Sequence, residues 1–322
     1  MILKERTYPL VLLQLKALIK RLHPQHERRS LVIEDFKKRE AGYKGEVSLD
    51  YHLSFIDSQL YSILHDLRLP DERGRFFQVD TLIVSKKMMI AVEIKNIMGT
   101  LYFDSVFNQL IRTKEGIESG FGDPISQVQK HSLQLKGFLK RHNQPELPVC
   151  PLVVVTSPQS VIKTSSDHRK ISNIVTHSIN LPAKVSQLDE IYSKEVMNEK
   201  EIKKMARILI RQHVELRYSV LEKYRIKAHE LIKGVICQNC EYHPLKRIRG
   251  NWYCNKCKWK NPDAHLEAIE DYSLLISPVI TNRQLRDFLL IDSSTIAKKL
   301  LQSQNLSHNG KNKGRIYYLP PH

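Results

Sequence analysis

The chain has 322 residues, 41% of them hydrophobic and 26% charged, with a formal net charge of +17 from 51 Lys and Arg against 34 Asp and Glu. This length and apolar content suffice for two or three domains with cores of their own, and the absence of low-complexity tracts and repeats argues against disorder and solenoids. So large a basic excess points to a polyanionic partner, nucleic acid before an anionic membrane surface.

Residues 1–40 read as a helical, basic lead-in. Its apolar run Leu10–Leu13 is too short to span a bilayer, and no small-residue cleavage site follows. No transmembrane segment or secretory leader is therefore expected, and the expected location is cytoplasmic. In that reducing compartment the five cysteines read as metal ligands plus one leftover thiol. Residues 8–22 are basic and amphipathic, which suits either membrane-surface contact or packing of the apolar face on a neighbouring domain. Packing is the commoner use of such a helix and is the expectation. Pro24 and the cluster Glu27-Arg28-Arg29 mark a break.

Residues 41–195 read as an α/β module. A helix is expected from about Gly45 to Leu64, although Val47, Leu49, Tyr51, Leu53, Phe55, Ile56 and Leu60 mix helical and alternating spacing. Two apolar runs, Val79–Val84 and Met88–Ile94, joined by Ser85-Lys86-Lys87, predict a pair of strands. A Gly- and Asp-rich loop follows, then a helix from Ile125 to Arg141, opened by Pro124 and capped by Asp123. Cys150–Thr156 reads as a strand buried on both faces, with Cys150 in the core, and Ile174–His177 as a weaker strand. Residues 196–233 read as one long basic helix, a solvated connector. Residues 234–262 hold four of the cysteines, and residues 270–322 form a last small unit.

Three side chains in the strand pair break the apolar pattern. Asp80, Glu93 and Lys95 stand where buried strands carry aliphatic residues. Side chains alternate along a strand, so Glu93 and Lys95 share a face. Burying two carboxylates and an ammonium is costly. Two carboxylates can hold a hard divalent cation, and a lysine can orient or deprotonate a water or offset charge at a phosphate. A buried ion pair without chemistry is the competing explanation. Glu46 on the preceding helix can project toward the same strands and Gln127 lies on the following helix, which together favour the catalytic explanation, although Gln127 taken alone reads equally as a helix-surface residue. Glu46 can bind a second ion, hold a metal-bound water or orient Lys95. His131 reads as an ordinary packing or surface histidine.

The series Gly42-x-x-Gly45-Glu46, Val79-Asp80, Glu93-Ile-Lys95-Asn96 with Gly99, and Asp123-Pro124 with Gln127 and His131 resembles the nuclease-related domain of the restriction-endonuclease-like PD-(D/E)xK group. The resemblance spans roughly residues 41–160, and its motifs come in the family's order. It implies a mixed sheet flanked by helices and a Mg²⁺ (or Mn²⁺) site, with Asp80 and Glu93 as metal-binding acids. It further implies Lys95 as the catalytic lysine, Glu46 as the helix acid and Gln127 as the glutamine of the last motif. The chain departs from the pattern at Gln78, where an acid is expected, and in lacking a proline directly before Asp80.

Cys237-x-x-Cys240 and Cys254-x-x-Cys257 are separated by thirteen residues that include Gly250 and Trp252-Tyr253. Two such knuckles joined by a hairpin close a tetrahedral four-thiolate site, so a structural Zn²⁺ is expected. About thirty residues cannot bury a sufficient core, so this module is expected to fold only with its metal. It resembles zinc ribbons, including those of topoisomerases and related DNA-handling proteins. Lys246, Arg247, Arg249, Lys256, Lys258 and Lys260 interleave with Trp252, Tyr253 and Trp259, which suits strand binding by stacking and phosphate pairing. Packing of the aromatics around the zinc is the alternative.

In residues 270–322, Thr281 and Asp292 or Ser293 can cap two short helices, followed by a basic turn and the strand Arg315–Leu319. This order resembles a winged helix-turn-helix. The resemblance implies that Ser293–Lys299 open a recognition helix and that Lys311, Lys313 and Arg315 meet phosphate from the wing. The combined expectation is a Mg²⁺-dependent DNA nuclease with a zinc ribbon and a winged-helix-like end that grip DNA. The alternatives are a catalytically silent DNA-binding or regulatory protein on the same fold and an RNA-directed hydrolase.

Overall fold

The computed structural model describes residues 1–164 and 168–320. In chain order the first elements are β1 (Ile2–Lys4), α1 (Leu10–Arg21), α2 (Arg29–Leu53), β2 (Ser62–Pro70), β3 (Phe76–Val84) and β4 (Met89–Lys95). There follow β5 (Thr100–Asp104), β6 (Gln109–Lys114), β7 (Ile117–Gly122), α3 (Pro124–Arg141), β8 (Val149–Val155), β9 (Val161–Thr164), α4 (His168–Ile174), β10 (Val175–His177) and α5 (Leu181–Ile191). The remainder comprises α6 (Glu199–Gln212), α7 (Val220–Tyr224), β11 (Lys246–Ile248), β12 (Asn251–Tyr253), β13 (Lys260–Asn261) and α8 (His265–Leu275). The chain closes with β14 (Val279–Thr281), α9 (Asn282–Leu289), α10 (Ser294–Gln302), β15 (His308–Asn309) and β16 (Ile316–Tyr318). Contacts divide the chain into two units, residues 1–8 with 39–216, and residues 9–38 with 217–322.

The first unit is built on a mixed sheet in the order β1-β2-β3-β4-β8-β10. β2, β3 and β4 are antiparallel neighbours, and β4 runs parallel to β8 and β8 to β10. Alternation along β4 divides its side chains between two cores. Met89 and Ala91 join the cluster that contains Val128, Leu135 and Phe138 of α3 and Ile202, Met205 and Leu209 of α6. Ile90, Val92 and Ile94 join the cluster with Leu49 and Leu53 of α2 and Leu181 and Val185 of α5. β8 is buried on both faces, as its run of β-branched residues predicts, and Cys150 lies in the core. A second sheet, β7-β6-β5-β9, is inserted between β4 and β8 apart from its last strand.

Three segments depart from the sequence reading. The Gly- and Asp-rich loop expected before α3 is instead largely the antiparallel strands β5, β6 and β7, whose turn at Glu115-Gly116 and glycines in β7 gave the loop-like composition. The helix expected at Gly45–Leu64 starts earlier, at Arg29, and stops at Leu53. Its added residues are mostly polar and carry little periodic signal, whereas Val47, Tyr51 and Phe55, among the apolar positions of mixed spacing, are exposed. Residues 62–64 belong instead to β2, so the mixed spacing recorded a helix-to-strand change. The single long helix expected at 196–233 is two helices, α6 and α7. α6 is not a solvated connector: Ile202, Met205, Ala206 and Leu209 pack into the main core of the first unit.

In the second unit α1 buries Val11, Leu12, Leu15, Ala17 and Leu18. Most of these residues, with Val220, Tyr224, Leu274 and Leu275, form one cluster, so the amphipathic face of α1 is spent on packing. Arg21 is buried; its Nε donates to Asp271 Oδ2 at 2.8 Å and its Nη1 to the Gly234 carbonyl at 2.6 Å. The cysteine-bearing hairpin and the C-terminal helices share one core, in which Cys237, Trp252 and Cys254 pack with Phe288, Leu289, Leu301 and Tyr317. α9 is capped by Thr281, as the sequence predicts, in a capping box with Gln284, and α10 is capped by Ser293 rather than Asp292. β14, β16 and β15 form a small antiparallel sheet beside them.

Candidate active site and metal centre

The site forms where β3 and β4 part. Their ladder runs from Val84–Met89 to Thr81–Val92 and goes no further, although β4 stays paired with β8 up to Lys95–Val155. The carboxylate of Asp80 takes over beyond it, with Oδ2 accepting the Ile94 N–H at 2.9 Å. The apolar parity of both strands shifts at this level. Val79 and Leu82 face the same core in β3, as do Leu64 and Leu67 in β2, where Asp66 between them has φ of 52°. A kink of this kind turns polar side chains out of an otherwise apolar ladder.

Glu93 and Lys95 share the face of Met89 and Ala91, the side covered by α3. Lys95 Nζ donates to Glu93 Oε1 at 2.7 Å and to Gln127 Oε1 at 3.2 Å. Asp123 fixes the start of α3, its carboxylate accepting from the amides of Ile125 and Ser126 at 3.1 and 2.9 Å, with Pro124 in the first turn. Gln127 is thereby set opposite Lys95. One turn later His131 Nδ1 lies 3.8 Å from Glu93 Oε2, closer to the site than its reading as an ordinary histidine implies. Burial, helped by Lys130 and Lys95, lowers its pKa to about 4, so the ring is neutral.

Glu46 comes from α2, which can approach β4 only because residue 45 is glycine. A Cβ at Gly45 would lie 2.2 Å from Cβ of Asn96, while Asn96 Nδ2 donates to the Ala41 carbonyl at 2.8 Å. Gly45→Ala is therefore expected to push α2 off the strand, cost roughly 1–3 kcal/mol in urea denaturation and displace Glu46. An unchanged denaturation midpoint would contradict this account of the glycine.

The acids crowd one another. Burial raises the pKa of Asp80, and the charges of Glu93 and Glu46 raise it further. Burial likewise raises Glu93, against the pull of Lys95. Glu46 is raised to about 7 by burial and then by Asp66, against the pull of Arg6. Carboxylates held near each other in partial burial fit a hard divalent cation, which relieves the repulsion. Their oxygens do not close into a tight cage of three. Among the described residues the group of ligand atoms within 4.8 Å of one another is the four cysteines. Two carboxylates with waters suit Mg²⁺, which keeps much of its hydration.

Arg6, from the lead-in, carries no signal in the sequence. Its side chain is 4% exposed and reaches Glu46, Asp66, Asp50, His65 and Thr81. These partners lie 40 to 75 residues along the chain, a separation at which no local pattern betrays them.

At the cysteine centre, Cys237 Sγ lies 3.6 Å from Cys257 Sγ, and Cys240 Sγ 3.6 Å from Cys254 Sγ. A tetrahedral ion at about 2.3 Å from each sulfur sets sulfurs about 3.8 Å apart, so the four could hold Zn²⁺ with little movement. The knuckles are alike. Residues Glu241 and Lys258, each next to a second cysteine, are left-handed, and their amides return to Cys237 and Cys254 carbonyls at 2.9 and 3.0 Å. The expected hairpin is β11–β12, with Arg249-Gly250 as its turn.

Trp252 corrects the reading of a base-stacking surface. It is 1% exposed, and its Nε1 donates to His265 Nδ1 at 3.3 Å, while Arg247 stacks on its ring. A ring enclosed in the core cannot meet a base. Trp259 is partly buried against the same core, so the two tryptophans pack around the cysteine knuckles. Lys246, Arg249, Lys256, Lys258 and Lys260 are exposed and Arg247 half-buried. Lys311 is exposed and Arg315 half-buried; the side chain of Lys313 lies outside what the structure describes.

A mixed α/β domain with a carboxylate–lysine cluster at a strand fork, and a separate four-cysteine centre, define the kind of protein this is. The family model of the nuclease-related domain matches residues 41–156, the segment that holds Glu46, Asp80, Glu93, Lys95 and Gln127. An uncharacterized protein of Bacillus anthracis is 25% identical over 140 residues, 42% of this chain and 62% of that protein, so the chain spans less than two thirds of this relative. No solved structure matches. No helix of the described residues is long and apolar enough to cross a membrane.

Proposed function

We propose that this protein is a metal-dependent nuclease that hydrolyses phosphodiester bonds in DNA. The contact that supports this best is Lys95 Nζ, placed between Glu93 Oε1 and Gln127 Oε1 at the end of an apolar strand. An ion pair serving stability alone has no need of the further acids that crowd around it. Asp80 and Glu93 are the ligands that would hold Mg²⁺ or Mn²⁺, which when bound supplies charge neutralisation at the phosphate and a more acidic water. Gln127 and Glu93 fix the ammonium of Lys95 by taking two of its three N–H donors, and the third would serve a phosphate oxygen or the attacking water. Neutral His131 backs Glu93 without competing for charge.

In this reading residues 41–195 form the nuclease-related domain and residues 1–40 and 196–233 flank it. Residues 234–262 form a structural zinc ribbon and residues 270–322 a winged-helix-like end. The exposed lysines and Arg249 of the ribbon, with Lys311 and Arg315, contribute sequence-independent contacts to phosphates. The net charge of +17 fits a polyanionic substrate, and the protein acts in the cytoplasm.

The test incubates the zinc-loaded full chain with labelled single- and double-stranded DNA and matched RNA, with Mg²⁺, with Mn²⁺ or with neither. Cation-dependent cleavage of DNA at least about ten-fold faster than of RNA is the expected result. Salt-sensitive binding with no cleavage of any substrate would replace the enzyme with a DNA-binding protein on a nuclease-related fold. Faster cleavage of RNA would reassign the substrate.

A further inference from the structure

Resting on the proposed metal-dependent chemistry, we infer that the guanidinium of Arg6 stands in for a second metal ion, so that the nuclease site takes one divalent cation. Glu46 lies near enough to Asp80 and Glu93 for their charges to act on one another, and Asp66 and Asp50 are joined to Glu46 through Arg6, so the acids outnumber what one divalent cation needs. Arg6 holds the surplus. Nη1 bridges Glu46 Oε2 at 3.1 Å and Asp66 Oδ1 at 3.0 Å, and Nη2 reaches Asp50 Oδ1 at 3.3 Å. The same Nη2 lies 2.9 Å from His65 Nδ1 and 3.2 Å from Thr81 Oγ1, so the fork is held on both sides.

Three features make this a built arrangement. The guanidinium side chain is 4% exposed, whereas its acid partners retain 21 to 38% exposure, so the cation is the enclosed member. Arg6 is delivered by β1, which runs parallel to β2 and thus leads the chain past residues 63 and 64 towards Asp66. Asp66 takes a left-handed backbone, uncommon for a non-glycine residue, within the strand that faces β3. Arginine remains charged under all working conditions and presents its donors in a rigid fork, so it can bridge carboxylates as a metal does without exchanging with solvent. Two-metal sites place their ions about 3.5–4 Å apart with shared carboxylates between them. Glu46, whose Oε2 is committed to Arg6, is the carboxylate that such a pair would share. The guanidinium acts through Glu46 rather than on the phosphate, so Arg6 is a positioning residue.

The experiment counts Mn²⁺ ions bound per zinc-loaded full chain, by calorimetry and by the Mn²⁺ electron-spin signal, without substrate. One ion is expected for the wild type. Asp80→Asn is expected to remove it, while Asp50→Asn and Asp66→Asn change its affinity by less than about three-fold, since those acids serve Arg6. Arg6→Met is expected to bind a second ion, abolished again by adding Glu46→Gln. Two ions in the wild type, or loss of one in Asp50→Asn or Asp66→Asn, would overturn the assignment of Arg6 alone and leave the nuclease reading standing. A folded Arg6→Met chain that still binds one ion would also overturn it. Should Arg6→Met fail to fold, the Asp50 and Asp66 variants decide the question. No ion bound by the wild type would overturn the metal-dependent reading and this inference with it.

Discussion

Lys95→Ala is expected to lower cation-dependent cleavage by on the order of 10³-fold while leaving nucleic-acid affinity within about two-fold. The ammonium is held by two members of the site, Glu93 Oε1 and Gln127 Oε1. Lys95→Arg is expected to restore little, because a planar fork cannot occupy the place of a compact ammonium between those two oxygens. Removing the ammonium also leaves the 4%-exposed Glu93 without its cation, so a loss of activity could be ascribed to local unfolding. Asp80→Asn separates the two causes. The amide oxygen can still accept the Ile94 N–H, now at 2.9 Å, and the change removes a charge that Glu93 and Glu46 oppose. This variant is expected to be at least as stable as the wild type on thermal melting and yet to lose roughly 10²–10³-fold in rate. Retention of more than a tenth of the wild-type rate by either well-folded variant would exclude the assigned roles.

The readable part of this site was the part written in local chemistry. Acids inside apolar runs violate the rule for buried strands, so Asp80, Glu93 and Lys95 announced themselves. Asp123-Pro124 is a helix start in any context, and the helix it opens carries Gln127, the glutamine that the resemblance assigned to the site, within reach of Lys95. The unreadable part was set by tertiary contacts. Nothing near Arg6 marks it as the buried cation of three distant acids. The polar first half of α2 carries no periodicity, and its close approach at Gly45 depends on Asn96, fifty-one residues on. Trp252 was misleading for a related reason. Interleaved aromatic and basic residues describe a stacking surface and a small metal-centred core equally well, and only burial distinguishes them. The strand exit at Asp80 lies between these extremes: the odd residue was visible, but the parity shift in β2 and β3 that turns it out of the ladder was not.

Removal of zinc is expected to have the largest effect on stability. The hairpin that carries the cysteines has strands of two or three residues, too short to hold themselves. Zinc binding by comparable four-ligand modules is worth roughly 10–16 kcal/mol, more than the whole stability of most domains. The consequence should not stop at the hairpin, because Cys237, Trp252 and Cys254 share a core with Phe288, Leu289, Leu301 and Tyr317. Chelation, or Cys254→Ser, is therefore expected to melt residues 235–261 outright and to lower hydrogen-exchange protection in β14 and β16. Protection in β4 and β8, which belong to the other unit, should be kept. The chain supplies its own reporter. Its two tryptophans, Trp252 and Trp259, both lie within the cysteine module, so intrinsic tryptophan emission reads that module alone. Emission from a ring that is 1% exposed should shift to the red as zinc leaves and return when it is restored. If the emission and the exchange pattern stay unchanged after zinc is shown to be gone, the hydrophobic core around Trp252 holds the module by itself, and the metal is not what folds it.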